Sequence, residues 1–174
     1  LANDLGNLVS RTISMINKYF GGKIRKADKN YFSFDEELET LAKKVIEDYK
    51  HDFEAFHFQD GLDAIWSLIS RANKYIDETT PWVLAKDESK QEELMDVMYH
   101  LYEVLRLVSI MITPVMEDSA KTIQEELGLN KEEVEFAALE FGRDTENTVI
   151  EKPLVLFKRL NMQEELDKIN GDNK

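Results

Sequence analysis

The residues of this chain best suited to chemistry surround a Pro-Trp pair near its middle. A helical pattern ends before Thr80, and Pro81 suits the first turn of a new short helix over residues 81–86, because a proline lacks only an N–H that would have no acceptor there. Thr80 is a suitable N-cap residue for that helix. Trp82 would then lie on a rigid turn, where its large flat ring could stack on an unpaired nucleic-acid base. The sequence by itself leaves both burial and exposure of Trp82 open.

The first predicted helix carries a second group of polar residues. Asn3, Asn7 and Arg11 recur every four residues, which aligns them on one helical face. An asparagine amide can donate to and accept from a base edge, and the guanidinium of Arg11 could bind two neighbouring acceptors such as O2 and N3 of an unpaired cytosine. The alternative is an exposed polar face in which Arg11 pairs with an acidic residue. The spacing alone favours that alternative.

No other pattern in the sequence predicts catalysis. The pairs Asp48/His51 and Glu54/His57 have a spacing known from di-iron bundles, but such sites need the motif on two separate helices, and both pairs fall in one short stretch. His100 has no acidic residue three positions before it. We therefore expect no metal site and interpret the histidines as surface or helix-end residues. Gly-rich phosphate loops, serine nucleophile motifs and zinc motifs are not found in the sequence either.

Composition and charge exclude several further classes of function. A chain of 174 residues with 43% hydrophobic residues is long enough for one domain with a sizeable core, and the absence of cysteine excludes thiolate chemistry and disulfides. The net charge of −13 argues against general nucleic-acid binding, although residues 1–34 hold six basic and two acidic residues.

The apolar runs are too short for a membrane span, and no signal peptide is visible. We expect a soluble cytoplasmic protein, and a fragment of a larger one because helical periodicity begins at Leu1.

Helical periodicity recurs along most of the chain, and no alternating strand pattern of useful length is present. The spacing predicts helices over residues 1–20, 51–77 and 90–112, another beginning at a capping box at Ser33, and a shorter one after Pro114 that ends at Gly128. A last helix is predicted over residues 162–169. The predicted fold is therefore all-α, an antiparallel helical bundle of about five main helices.

Two of these helices carry specific packing predictions. The inward face of the helix over residues 51–77 should be Phe58, Leu62, Ile65, Trp66, Ile69, Ala72 and Ile76. Gly61 lies inside this helix and should cost about 1 kcal/mol relative to alanine. In the helix over residues 90–112, apolar residues from Leu94 to Ile112 step by four and three, which is typical of a bundle seam.

Several segments resemble the anticodon-binding domain of methionyl-tRNA synthetases. Residues 71–86 are similar to the family's signature around its Pro-Trp pair, and residues 3–11 are similar to the opening helix of that domain. Residues 58–66 and 101–106 also resemble family segments. The similarity is weaker after residue 130, where Lys158 replaces a proline of the family's tail motif. The Asn/Arg helix together with the Pro-Trp pair points to the methionine enzyme rather than to related class I synthetases.

The resemblance implies a role for each candidate site residue. Asn7 and Arg11 would hydrogen-bond exposed bases of the CAU anticodon, and Trp82 would stack on its first-position cytosine. Pro81 would fix the angle of Trp82, and Asn3 would be a neighbouring contact. The domain would consist of an anticodon-binding bundle over residues 1–130 and a C-terminal extension over residues 131–174.

The resemblance also implies that catalysis takes place elsewhere. The family's ATP-binding motifs are absent from this sequence, so ATP and methionine would bind a missing N-terminal catalytic domain, and the chain would need no cofactor of its own. It would belong to a methionine–tRNA ligase but would be inactive alone. Its partners would be the tRNA for methionine and that catalytic domain, with no membrane. The competing interpretation is a helical protein–protein interaction module that uses Trp82 as a buried anchor.

Overall fold

A computed structural model describes residues 2–157, and helices dominate it. The main helices are α1 (Asn7–Phe20), α2 (Ser33–Glu54), α3 (Phe58–Thr79), α5 (Gln91–Met111) and α6 (Glu117–Glu126), and the short α4 (Pro81–Leu84) follows α3. A π-helical segment, Ala2–Gly6, precedes α1, and single 3-10 turns occupy Glu88–Lys90, Lys131–Glu133 and Phe136–Ala138. The predicted all-α bundle of about five main helices is confirmed. The predicted helix over residues 162–169 and Lys158 lie outside the described residues.

Two short strands connect the end of the first helix to the C-terminal part of the chain. The strands β1 (Lys23–Arg25) and β2 (Glu146–Thr148) pair antiparallel, with Ile24 opposite Asn147. Strands of three residues are too short to show an alternating pattern, so the sequence does not predict them. From residue 2 to residue 157, no helix combines the length and the apolar character needed to cross a membrane.

Helix α5 is the centre of the fold. Every residue from Leu94 to Met111 is buried, because α1, α2, α3, α6 and β1 all pack around this helix. The predicted bundle seam is therefore only one side of a helix that is covered on all sides. Its charged residues find partners inside the protein, and the fully buried Arg106 donates to Glu103 and to the backbone carbonyls of Ala138 and Glu140.

The boundary between α2 and α3 differs from the predicted one. Helix α2 continues to Glu54 and α3 begins only at Phe58, so the predicted start at residue 51 or 52 is wrong. Phe58 is 47% exposed, and Leu62 and Trp66 pack against the core while staying partly accessible. None of the three is the fully buried residue that the spacing predicts. Gly61 is buried, and a Cβ atom there would lie 2.8 Å from the ring of Phe53. Close packing against this ring explains the glycine.

The cap of α2 also differs from the sequence prediction. Ser33 is already helical, and Phe32 is the N-cap residue. The buried carboxylate of Asp35 accepts from the backbone N–H groups of Tyr31 at 2.9 Å and of Phe32 at 2.6 Å. The capping box predicted at Ser33 is therefore shifted by one residue, since Asp35 rather than Glu36 satisfies the free N–H groups.

Candidate functional site

Two hydrogen-bonded pairs join the polar face of α1 to α3. The amide of Asn7 donates to Oδ1 of Asn73 at 3.2 Å, and Nη2 of Arg11 donates to Oδ1 of Asp77 at 3.2 Å. Both pairs advance by four residues in the same direction, so the two helices run parallel along this contact. Asn7 and Arg11 therefore lie one helical turn apart at the border between α1 and α3.

Asn3 lies one turn before Asn7, and both are exposed. Asn73 reinforces this end of the contact, since its amide also donates to the backbone carbonyls of Asp4 at 3.3 Å and Ile69 at 3.1 Å. The structure thus places Asn3, Asn7 and Arg11 on one accessible face, as their spacing predicts. It also gives Arg11 an acidic partner, Asp77, as in the alternative that the spacing favours.

The Pro-Trp turn directly follows the end of α3. Pro81 and Leu84 are buried, whereas Trp82 and Val83 are 43% and 52% exposed. The two buried residues attach α4 to the bundle, so the ring of Trp82 stays on the surface. Pro81 occupies the first helical turn as predicted.

Thr80 does not cap α4 in the predicted way. Its side chain makes no capping hydrogen bond, and its backbone is left-handed, with φ of 44°. The backbone carbonyl of Thr80 accepts from the N–H of Val83 at 2.8 Å. The left-handed residue turns the chain sharply between α3 and α4. Because Asp77 precedes Trp82 by only five residues, α4 begins next to the end of the α1–α3 contact that carries Arg11.

A buried cluster lies on α5 where this helix packs against α2 and α3. His100 is 1% exposed and lies 3.2 Å from Asp96 and 3.3 Å from Glu39, so its interpretation as a surface or helix-end histidine is wrong. Burial by itself would lower the pKa of His100, but the hydrogen bonds to Asp96 and Glu39 outweigh it and raise the pKa to about 10. His51 and His57 are exposed at the connection between α2 and α3, where such histidines were expected.

Ligand atoms of Asp35, Asp96 and His100 come within 4.8 Å of one another, a group of the kind that can hold a metal ion. These atoms already have partners within the fold. Asp35 accepts from the hydroxyl of Tyr75 at 2.6 Å, and Asp96 accepts from the backbone N–H of Tyr31 at 3.0 Å. The cluster therefore joins α2, α3 and α5 through hydrogen bonds.

Residues 27–170 match the family model described as the anticodon binding domain of methionyl tRNA ligase. The chain belongs to this family. The resemblance seen in the sequence is confirmed, and the exposed face formed by α1, α3 and α4 is the surface of an anticodon-binding domain on which the candidate residues lie.

Individual methionine–tRNA ligases agree with this assignment. The enzyme of Oceanobacillus iheyensis is 47% identical over 167 residues, a match that covers 95% of this chain and 25% of the enzyme. The enzyme of Bacillus subtilis is 43% identical over 173 residues, covering 98% of this chain and 26% of the enzyme. The chain thus spans about a quarter of the length of the curated relatives it matches.

Solved structures of Mycobacterium tuberculosis methionyl-tRNA synthetase share the fold. The complex with methionyl-adenylate superimposes with a TM-score of 0.83 at 34% identity, over 91% of this chain and 31% of that one. The apo form gives a TM-score of 0.84 at 34% identity, over 92% of this chain and 32% of that one. The helical arrangement described above is therefore that of the corresponding part of a methionyl-tRNA synthetase.

Further residues, which no sequence pattern indicates, lie beside this face. A cavity of about 620 Å³ lies against the Asn3–Asn7 face of α1 and is also lined by Ser10 and by residues 153–157. Residues 153–157 are far from α1 in sequence, and the resemblance of their last two residues to the family's tail motif does not indicate what they contact. No sequence signal could have placed them beside Asn3 and Asn7.

Proposed function

We propose that this domain reads the CAU anticodon of the tRNA for methionine. The observation that carries the proposal is the position of an accessible Trp82 at the end of α3, directly after the turn that pairs Asp77 with Arg11. The arrangement offers a stacking ring and a hydrogen-bonding fork on one surface. The unstacked bases of an anticodon loop can stack on such a ring and hydrogen-bond to such a guanidinium.

Each contact has a defined task in this proposal. Trp82 stacks on the first-position cytosine, and Pro81 holds the turn that sets the angle of its ring. Arg11 and Asn7 hydrogen-bond base edges, and Asn3 extends the polar face by one turn. Stacking and a good base-edge contact each contribute about 1–3 kcal/mol, so together they give a selectivity on the order of 10³ without a strongly basic surface. Anticodon reading is therefore compatible with a net charge of −13.

The wider reaction follows from the relatives. Methionine–tRNA ligases are about four times as long as this chain, so a catalytic domain outside these residues would bind ATP and methionine and charge the tRNA in the cytoplasm. This domain would bind neither small molecule. It would hold the anticodon so that the acceptor end of the tRNA reaches the catalytic domain, and by itself it would bind tRNA without charging it.

The test is binding of the chain to a CAU anticodon stem-loop and to a stem-loop with the first anticodon base changed, at two salt concentrations. We expect a preference for CAU that persists at the higher salt concentration. Trp82→Ala and Arg11→Ala should each weaken CAU binding about tenfold or more and reduce the preference. Val83→Ala is the matched control, because Val83 is the exposed neighbour of Trp82 and has no assigned contact. Unselective binding that disappears with salt would overturn the proposal and favour a protein-interaction module.

A further inference from the structure

A groove follows α1 on the side of Asn7 that faces away from α3. Two cavities of about 620 and 740 Å³ form it, and they adjoin at Pro153, which lines both. Residues 148–157 make one wall. Helix α1 and the residues flanking it make the other, which consists of Asn3, Gly6, Asn7, Ser10, Ser14, Asn17, Lys18 and Gly21.

The wall formed by residues 148–157 is fixed to the bundle at several points. The amide of Asn17 donates to the backbone carbonyl of Ile150 at 2.7 Å, and the N–H of Ile150 donates to the carbonyl of Glu126 at 2.8 Å. The N–H of Leu154 donates to the buried carboxylate of Glu126 at 2.5 Å. Residues 150–154 are therefore held at a set distance from α1, and the groove is a built feature of the fold.

The chemistry of the groove changes along its length. At the Asn3 end, amide and hydroxyl groups of α1 face an apolar wall in which Leu154 is 57% and Val155 is 73% exposed. A flat base has the same combination of an apolar face and a polar edge. Two exposed side chains as apolar as these, next to accessible amides, form a surface on which a base could bind.

The other end of the groove is cationic. Lys18 and Lys152 both line it, together with the carboxylate of Glu151. In the part of the chain from residue 2 to residue 157, neither lysine forms an ion pair, although Lys18 lies 5.4 Å from the ring centroid of Tyr19. Both ammonium groups are thus available to a phosphate.

We propose that this groove binds the single strand of RNA adjoining the recognised anticodon, with phosphates at Lys18 and Lys152 and a second unpaired base against Leu154 and Val155. The inference rests on the proposed function, because Asn7 belongs to both surfaces. It pairs with Asn73 on one side and lines the groove on the other. A strand whose first base stacks on Trp82 and whose next base reaches Asn7 would enter the groove there.

The first experiment measures the salt dependence of binding to the CAU stem-loop. Each phosphate contact that is lost should reduce the slope of log K against log salt by about 0.7, the value for single strands. We expect this reduction for Lys18→Ala and for Lys152→Ala, and about twice as much for the double variant. The preference for CAU should stay unchanged, because phosphate contacts carry no sequence information. Lys131→Ala removes the same charge from an exposed position outside the groove and should leave the slope unaltered.

A second variant tests the apolar wall. Val155→Glu places a negative charge in the groove and should weaken CAU stem-loop binding about tenfold, whereas Val115→Glu, at an exposed valine between α5 and α6, should bind like the wild type. Far-UV circular dichroism should show both variants folded. If the wild type prefers CAU but all the groove variants match it in slope and affinity, the groove proposal fails and the anticodon proposal stands. If the wild type shows no preference for CAU, both fail.

Discussion

The guanidinium of Arg11 lies 3.2 Å from the carboxylate of Asp77 across the border between α1 and α3. The side chains are 33% and 68% exposed, so this surface ion pair should contribute only about 0–1 kcal/mol to stability. The main effect of the ion pair is to fix where the guanidinium of Arg11 lies. Asp77 holds the guanidinium near the end of α3, where the turn that carries Trp82 begins. Both side chains to which we assign base contacts are therefore held in place by the protein alone.

Asp77→Asn should therefore separate affinity from specificity. The variant removes a negative charge from the proposed RNA surface, so the affinity for the CAU stem-loop should stay equal or increase. Because Arg11 loses its charged partner, discrimination against a changed first base should fall about threefold to tenfold. Binding of both stem-loops gives the two quantities. Glu78→Gln is the control, since it neutralises the next acidic residue, which pairs with Arg71 and Lys74 instead. Unchanged discrimination in Asp77→Asn would show that the ion pair does not position Arg11.

Much of this site could be predicted from the sequence because it depends on local rules. The face of Asn3, Asn7 and Arg11 follows from helical periodicity, and the Pro81–Trp82 turn follows from the preference of proline for the first turn of a helix. The exposure of Trp82 could not be predicted. It results from the burial of Pro81 and Leu84 on either side of it.

Other features depend on contacts between distant parts of the chain. Ile24 pairs with Asn147, and Arg106 donates to the carbonyls of Ala138 and Glu140. No local sequence pattern indicates either of these contacts. The same holds for His100, since nothing in its neighbourhood in the sequence indicates that Glu39 approaches from α2. The sequence predicts one buried face for α5, whereas the whole helix is buried. Periodicity shows where the apolar residues lie, but it does not show whether the polar residues between them are buried as well.

Gly61→Ala should destabilise the domain, although alanine normally favours a helix. The ring of Phe53 lies where the new Cβ would be placed, at 2.8 Å, so the ring must move. The overpacking should cost about 1–3 kcal/mol, and the gain of about 1 kcal/mol in helix propensity offsets part of it. The net decrease in the free energy of unfolding should therefore be up to about 2 kcal/mol. Urea denaturation measures the change. In a Phe53→Leu background the same substitution should be neutral or stabilising, and a destabilisation of the same size there would contradict the packing argument.

Gly128→Ala should cost more than Gly21→Ala, although both glycines follow helices in the left-handed region, with φ of 70° and 60°. At Gly21 a Cβ atom would meet nothing within 4 Å, so alanine should cost only the left-handed conformation, about 1–2 kcal/mol. At Gly128 the Cβ atom would lie 2.3 Å from the backbone oxygen of Thr148, which must move away and take β2 with it. We expect Gly128→Ala to lower the free energy of unfolding by at least about 1 kcal/mol more than Gly21→Ala. Equal losses in thermal or urea denaturation would mean that this close approach carries no cost.

The cluster around His100 should make stability depend on pH in a defined direction. Burial alone would lower the pKa of His100, but Asp96 and Glu39 raise it to about 10 in the folded protein, above the usual value of 6.5. The stabilisation is therefore complete below pH 6.5 and is lost as the pH rises toward 10. The hydrogen bond from His100 lowers the pKa of Glu39 to about 2, so its contribution is complete above pH 4.5 and is lost as the pH falls toward 2.

His100→Gln removes this charged partner and tests the argument. The difference in free energy of unfolding between wild type and variant should be largest between pH 4.5 and 6.5, where both contributions are complete, and should decrease steadily from pH 6.5 to pH 9. Urea denaturation at a series of pH values measures it. His57→Gln changes an exposed histidine and should stay within about 0.5 kcal/mol of the wild type. A His100→Gln difference that is constant or increases with pH would show that His100 is not held as a cation between Asp96 and Glu39.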